Sequence, residues 1–345
     1  MKPLILLAII AASILTLSLG LFGQDLQQDF ESYDQIRDSL DSLYDLEKYA
    51  QAIDLIKSVY GLFPEDDFEL TRSHTLFCRM AGLYEVCMDV FEAGHKKGYF
   101  YFIMPGMKKY EPFTEFERFD DVVTEDARLR EEANKESKTL MEVETPQGYS
   151  PDRQYPLLIV LHGGGSSIDR AKKHWHSAKL RNEYIVAFLQ SYMHMDLITY
   201  GWRTSDQRAQ EDIKKIYDEL INNYSIDTAR VVVAGISAGG SMALDLAINK
   251  IIPVAGVFGV CPGKPQDFEP ASLDAARRKN VRAYILGGET DFYLSSQNEM
   301  AKAFKTTRLK YEQVVIEGLG HDYPEDFSTW IDTALDFLID YEKHM

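Results

Sequence analysis

Val231-Val232-Val233-Ala234-Gly235-Ile236-Ser237-Ala238-Gly239-Gly240-Ser241-Met242-Ala243-Leu244 is the stretch on which the reading of this 345-residue chain turns. A β-branched and alanine run is followed by a turn between glycines and then by a helix-forming run. The pattern is strand, turn, helix, with Ser237 at the apex. A serine on so sharp a turn needs small residues two positions to either side, because strand and helix must approach closely there. An incidental Gly-Ser turn would need neither flanking run.

A serine hydroxyl is a weak nucleophile near neutral pH and requires a base and an orienting acid. On a strand–turn–helix nucleophile these partners follow in the order Ser, acid, His. Downstream of Ser237 the histidines are His321 and the penultimate His344. His321 follows the apolar run Gln313–Ile316 inside Gly318-Leu319-Gly320-His321-Asp322, a loop at a strand end. The acid is expected after the run Ala283–Leu286, in Gly287-Gly288-Glu289-Thr290-Asp291; Asp291 is favoured and Glu289 is the alternative. Asp322 is too close to His321 in sequence to orient it and reads as structural.

An oxyanion needs two preorganised N–H donors. One is expected from Ala238, the residue after the nucleophile. The other is expected from His162-Gly163-Gly164-Gly165, into which the apolar run Leu157–Leu161 leads directly. Gly164 is the preferred donor, with Gly163 and Gly165 close behind. No Gly-Lys-Ser/Thr follows, so this is not a nucleotide-phosphate loop.

Together, His162-Gly163-Gly164-Gly165, the turn at Ser237, Asp291 and His321 resemble the α/β-hydrolase superfamily. The likeness is strongest to small carboxylesterases of the polyhydroxybutyrate depolymerase, feruloyl esterase and phospholipase/carboxylesterase kind, and it covers residues 139–345. It implies a Ser-His-Asp hydrolase on a doubly wound, mainly parallel sheet, without a cofactor or a metal. It also implies a substrate pocket lined by His162 and by the segment Ser191–Gln210, which supplies Tyr200 and Trp202 along with Tyr192 and Met193. No large cap insertion is present, so long acyl chains have no evident lid.

The rest of the chain fits that frame. Leu140–Glu144, Leu157–Leu161, Ile185–Leu189, Val231–Ala234, Val254–Val260, Ala283–Leu286 and Gln313–Ile316 read as strands alternating with helices. Near-continuous apolar strands of this kind belong to a parallel sheet covered on both faces. Ile213, Ile216, Tyr217, Leu220, Ile221 and Tyr224 form the stripe of an amphipathic helix.

Residues 24–138 have a different grammar, helical and acidic. They hold 26 of the 54 acidic residues but only 14 of the 37 basic ones. Tyr49, Ala52, Ile53, Ile56, Val59 and Pro64, echoed by Tyr84, Cys87, Met88, Phe91 and Gly94, resemble a tetratricopeptide-type helical module. A plain helical bundle is the equal alternative. This region is expected to modulate access or to bind a protein partner rather than to do chemistry.

Before it, Lys2 and the apolar run Leu4–Phe22 read as a signal peptide over residues 1–23, with small residues for cleavage after Gly20 or Gly23. The expected destination is periplasmic or extracellular. Only if the segment stayed uncleaved would it anchor the chain in a membrane.

Composition closes several other doors. With 45% hydrophobic residues the chain is no disordered or fibrous sequence. A net charge of −17 repels phosphate backbones, and the densest basic runs are only Lys96-Lys97 and Arg277-Arg278-Lys279. No nucleic-acid partner is expected. Cys78, Cys87 and Cys261 are too few for a disulfide scaffold. Whether Cys78 and Cys87 pair is left open. His174 and His176 diverge on a helix and lack carboxylate company, which speaks against zinc.

The expected activity is therefore a secreted serine esterase acting on small or polymer-linked esters through an acyl-enzyme. Two alternatives stay open. One is a serine peptidase of the prolyl-peptidase kind, although no propeller is present. The other is an interaction protein with a vestigial hydrolase domain.

Overall fold

A computed structural model describes residues 30–339. The segment read as a signal peptide lies outside them, as does His344. The described residues form two compact units that divide between Cys87 and Met88.

The first unit is helical: α1 (Tyr33–Asp45), α2 (Tyr49–Val59) and α3 (Asp67–Met80). The apolar positions Ile36 and Leu40 of α1, and Ala52, Ile53, Ile56 and Val59 of α2, are buried. These are the positions that recur every three to four residues in sequence, so the buried stripe follows from helical periodicity. Pro64 ends the linker after α2 by opening a single 3-10 turn, Pro64–Asp66. Cys78 and Cys87 are both buried free thiols.

The second unit begins within α4 (Tyr84–Lys96) and includes α5 (Phe119–Glu136) as well as the sheet. The compact boundary therefore falls some fifty residues before the change of composition at residue 138. Buried polar contacts explain the difference. The fully buried Asp126 of α5 accepts hydrogen bonds from the N–H groups of Tyr101 (2.6 Å) and Ile103 (2.9 Å). The guanidinium of Arg208, far along the chain, donates to the main-chain oxygens of Asn134 (2.7 Å) and Ser137 (2.5 Å). Charge density tracks exposure, whereas packing carries α5 into the second unit.

Seven strands form one sheet in the order β1-β3-β2-β4-β5-β6-β7. They are β1 (Leu140–Glu144), β2 (Tyr155–Leu161), β3 (Ile185–Gln190), β4 (Ile226–Ile236), β5 (Gly256–Val260), β6 (Arg282–Gly288) and β7 (Lys310–Ile316). Only β1 runs antiparallel, against β3. Alternate residues of each central strand enter separate cores. Leu157, Ile159, Val231 and Val233 pack with α8 (Gln207–Asn223) and α9 (Ala238–Ile248), and Leu158, Val160, Val232 and Ala234 with α12 (Phe327–Ile339). The remaining helices are α6 (Ile168–Lys172), α7 (Ala178–Glu183), α10 (Pro270–Arg278) and α11 (Leu294–Thr307). Each buried aliphatic side chain contributes about 1.5–3 kcal/mol of transfer free energy, which is why these strands read as unbroken apolar runs.

The order places a switch point between β2 and β4. From β2 the chain crosses outward to β3, then returns past β2 to β4 and continues in the other direction. At such a point the loops at the carboxyl ends of neighbouring strands part to opposite faces and leave a crevice. Gly163–Gly165 follows β2 and Ser237 follows β4, so both border it.

Candidate active site

Ser237 sits at φ 54° and ψ −121°, a left-handed conformation that costs a non-glycine residue about 1–3 kcal/mol. Sterics impose it. A Cβ on Gly239 would stand 2.3 Å from the carbonyl oxygens of both Leu161 and His162, and one on Gly235 would stand 2.5 Å from the carbonyl carbon of Gly239. The end of β4, the start of α9 and the end of β2 are therefore in backbone contact, with no room for a side chain. The turn is secured by the Ser237 N–H, which donates to Val260 O (2.8 Å), and by the Ser241 hydroxyl, which donates to Ser237 O (3.0 Å).

The structure brings Ser237, His321 and Asp291 together. The Ser237 hydroxyl lies 2.8 Å from His321 Nε2, and His321 Nδ1 lies 2.7 Å from Asp291 Oδ1. The network fixes the tautomer, with Nδ1–H donating to the carboxylate and Nε2 accepting from the hydroxyl. Asp291 is 5% exposed. Burial alone would raise its carboxyl, but the Tyr293 N–H (3.0 Å), His321 and the Gln297 side-chain amide (2.6 Å) donate to it and hold it below the usual carboxylate range.

Glu289 takes a different position. Its carboxylate accepts from the N–H of Gly318 (2.9 Å), bracing the loop that carries His321 without touching the imidazole. Asp322 is exposed and accepts from the Tyr323 N–H.

The glycine loop lies against the nucleophile turn. A Cβ on Gly164 would be 3.5 Å from that of Ala238, and one on Gly163 would be 4.0 Å from that of Ser237. Gly165 differs from expectation. Its N–H already donates to Tyr200 O (2.9 Å) and to Met195 Sδ (2.9 Å), and at φ 70° it makes the turn instead of offering a donor. Of the three glycines, Gly163 lies against Ile236 and Ser237 and Gly164 against Ala238.

Two of the residues expected in the pocket belong beneath it. His162 is fully buried. Its Nδ1–H donates to Gly163 O (2.7 Å), and its Nε2 accepts from the Ser191 N–H (3.2 Å). Burial lowers its pKa to about 4, only partly opposed by the Gly163 hydrogen bond, so the ring is a neutral strut under the loop. Trp202 is a core residue, its ring 5.4 Å from that of His162. Aromatic residues beside a glycine motif serve either wall or floor, and sequence does not distinguish them. Tyr200 is half-buried and meets the loop through its main chain, which also accepts the Gly165 N–H.

Sequence reasoning missed Gln297, which is fully buried behind Asp291, and Phe292. Phe292 is 70% exposed, yet its ring stacks on His321 at 4.1 Å. Cys261 is buried at φ 46° beside the site. Burial, then the charge of Asp291, pushes its thiol up to about 12. Cys261, Asp291 and His321 form the one cluster of possible metal ligands among the described residues. In that cluster both imidazole nitrogens are already engaged, by Asp291 and Ser237. A cavity of about 340 Å³, lined by Glu92, His95, Arg118 and Glu125 among others, shares no residue with this site.

Residues 158–281 match the alpha/beta hydrolase family. That span contains the glycine loop and Ser237 and ends before Asp291 and His321. NocK of Nocardia uniformis subsp. tsuyamanensis, whose name suggests an esterase, is 30% identical over 129 residues, 33% of this chain and 36% of its own. The bifunctional acetylxylan esterase/xylanase XynS20E of Neocallimastix patriciarum is 25% identical over 123 residues, 35% of this chain and 17% of its own. The chain thus spans little more than a third of the first of these relatives and less of the second. A crystal structure of an uncharacterized protein from Bacillus cereus ATCC 10987 is similar over 90% of this chain and 99% of its own, with a TM-score of 0.51 and 25% identity. That likeness extends well beyond the sheet. Residues 158–281 thus match the alpha/beta hydrolase family, and they lie on a mostly parallel sheet of the α/β-hydrolase fold with all-helical residues ahead of it.

Proposed function

We propose that the chain is a serine hydrolase that cleaves carboxylic esters. The observation that carries this reading is His321, joined to the Ser237 hydroxyl on one side and to the buried Asp291 carboxylate on the other. Ser237 Oγ attacks the ester carbonyl as His321 Nε2 takes its proton. The imidazolium is stabilised by Asp291, whose depressed pKa keeps it charged. The tetrahedral oxyanion is held by the N–H groups of Ala238 and Gly164, at the amino end of α9, where the helix dipole adds favourable potential. His321 then returns the proton to the leaving alcohol. Water, activated by the same imidazole, releases the acid from Ser237. The esterase names of NocK and XynS20E support the choice of ester over amide.

We further propose that the tetratricopeptide-like pattern of the first helices serves a protein partner. Lys2 and the apolar run after it support export of the chain to the periplasm or beyond the cell.

The test is turnover of short- and long-chain p-nitrophenyl esters beside a series of aminoacyl amides. Ester hydrolysis that vanishes in Ser237→Ala, with circular dichroism unchanged, is expected. A clear preference for the amides would overturn the ester reading in favour of a peptidase.

A further inference from the structure

The glycine loop is not held by the sheet alone. The loop between β3 and α8 closes on itself: Met195 N–H donates to Thr199 O (2.8 Å), and Asp196 accepts from the N–H groups of Ile198 (3.1 Å) and Thr199 (2.8 Å). Its inner side grips the glycine loop. Tyr200 N–H donates to Ser166 O (2.8 Å), Gly165 N–H donates to Tyr200 O and Met195 Sδ, and Met195 Sδ stands 3.8 Å from where a Cβ of Gly164 would be. Its outer side is tied to α5. The side-chain oxygen of Asn134 accepts from the His194 N–H at 2.7 Å, and Phe100 meets the His194 ring edge-on at 5.9 Å. Asn134 is itself fixed by Arg208, which donates to its main-chain oxygen while the guanidinium lies 3.8 Å over the ring of Tyr192.

We propose that Asn134 is a positioning residue for the hydrolytic site. Held by Arg208, it anchors the loop at His194 and, through Met195 and Tyr200, sets the glycine loop so that its oxyanion donor is in place before substrate arrives. The end of the helical region would then be part of the machinery that shapes the site, not an appendage to it. The proposal rests on the ester-hydrolase reading above.

The chemistry makes the effect selective. Oxyanion donors act on the transition state more than on the bound ester, so a donor displaced by a fraction of an ångström lowers kcat and leaves KM nearly alone. Asn134→Leu removes the acceptor at similar volume, while Asn134→Asp keeps an oxygen for the His194 N–H. In the full-length protein, kcat and KM for p-nitrophenyl butyrate are measured together with the affinity for a trifluoromethyl ketone, whose hemiketal oxygen occupies the oxyanion position.

Asn134→Leu should lower kcat by about 10–100-fold, weaken the ketone in parallel and change KM by less than about threefold. Asn134→Asp should restore most of the loss. Should Asn134→Leu fold poorly, Arg208→Gln gives the same pattern at about tenfold. Asn134→Leu with near wild-type kcat overturns the inference, as does Asn134→Asp as impaired as Asn134→Leu, or a loss confined to KM. A wild type inert toward every ester defeats the hydrolase reading instead. An active wild type with indifferent variants defeats this inference alone.

Discussion

The turn at Ser237 and the loop from Ser191 to Gly201 border the same three glycines, and they are held by opposite means. At Ser237 the constraint is contact: Gly235 and Gly239 lie so close to neighbouring backbone that no side chain fits. The Ser191–Gly201 loop takes its shape instead from hydrogen bonds to Asn134, 60 residues earlier, and to the glycine loop, about 30 residues earlier. A site built partly by sterics and partly by distant polar contacts should respond unequally to change in its two parts.

The largest effect is expected where contact rules. Gly239→Ala forces a Cβ against two carbonyl oxygens that belong to β2 and its exit, and neither can retreat without opening the sheet. Activity should fall below detection, and urea denaturation should show a loss of at least about 2 kcal/mol. A stable, active Gly239→Ala protein would mean that the close approach is not needed.

Next comes the acid. Asp291→Asn should lower turnover by about 10⁴-fold, because an amide favours the wrong imidazole tautomer, while Glu289→Gln should cost less than about tenfold. The contrast follows from the Nδ1 contact of Asp291 and the main-chain contact of Glu289. The reverse ranking in steady-state kinetics would reassign the acid.

Met195→Ala probes the other kind of constraint. It leaves the Gly165 N–H with Tyr200 O as its partner, and about a tenfold loss of kcat with little change in KM is expected. A loss as deep as that of Gly239→Ala would erase the distinction between the two regions.

The smallest effect at neutral pH belongs to His162 and appears as the solution is acidified. Its folded pKa is about 4 and its unfolded value about 6.5, so the unfolded chain takes up a proton that the folded chain refuses. The contribution is complete above about pH 6.5 and is lost progressively towards pH 4, by at most about 3 kcal/mol. Buried His74, also lowered to about 4, behaves likewise in the first unit and is unchanged by a substitution at His162. His162→Gln should therefore show a shallower fall in stability between those pH values than wild type in urea titrations. Parallel slopes would show that His162 is not held neutral.

The same division decides which features of the molecule are legible in its amino-acid order. The central strands are legible because both faces of the sheet are covered there, leaving unbroken apolar runs, whereas the edge strands β1 and β7 are partly exposed and carry charged residues. The full extent of β4 is not legible, since Ile226–Arg230 mixes charge into a strand that continues past its buried core. Ser237, His321 and Asp291 are legible because each follows a strand, and a strand end has one geometry. Gln297 and Asn134 carry no local signature; a glutamine behind a carboxylate or an asparagine at a helix end gains meaning only from a partner elsewhere in the fold. His162 and Trp202 are recognisable as neighbours of the site, but the pattern puts them on the wrong side of its surface, because burial is decided by what packs above. The composition change at residue 138 marks where the acidic surface ends, and the hydrogen bonds of Arg208 to Asn134 and Ser137 show that packing crosses it.

The most direct measurement of the central claim is covalent labelling with a fluorophosphonate, which reacts with a serine activated by a histidine and carries its phosphorus into the position of the tetrahedral centre. After tryptic digestion and mass spectrometry, a single adduct on Ser237 is expected, absent from Ser237→Ala and slowed in Asp291→Asn. No adduct on folded wild-type protein, or an adduct on a different serine, would contradict the assignment of Ser237 as the nucleophile.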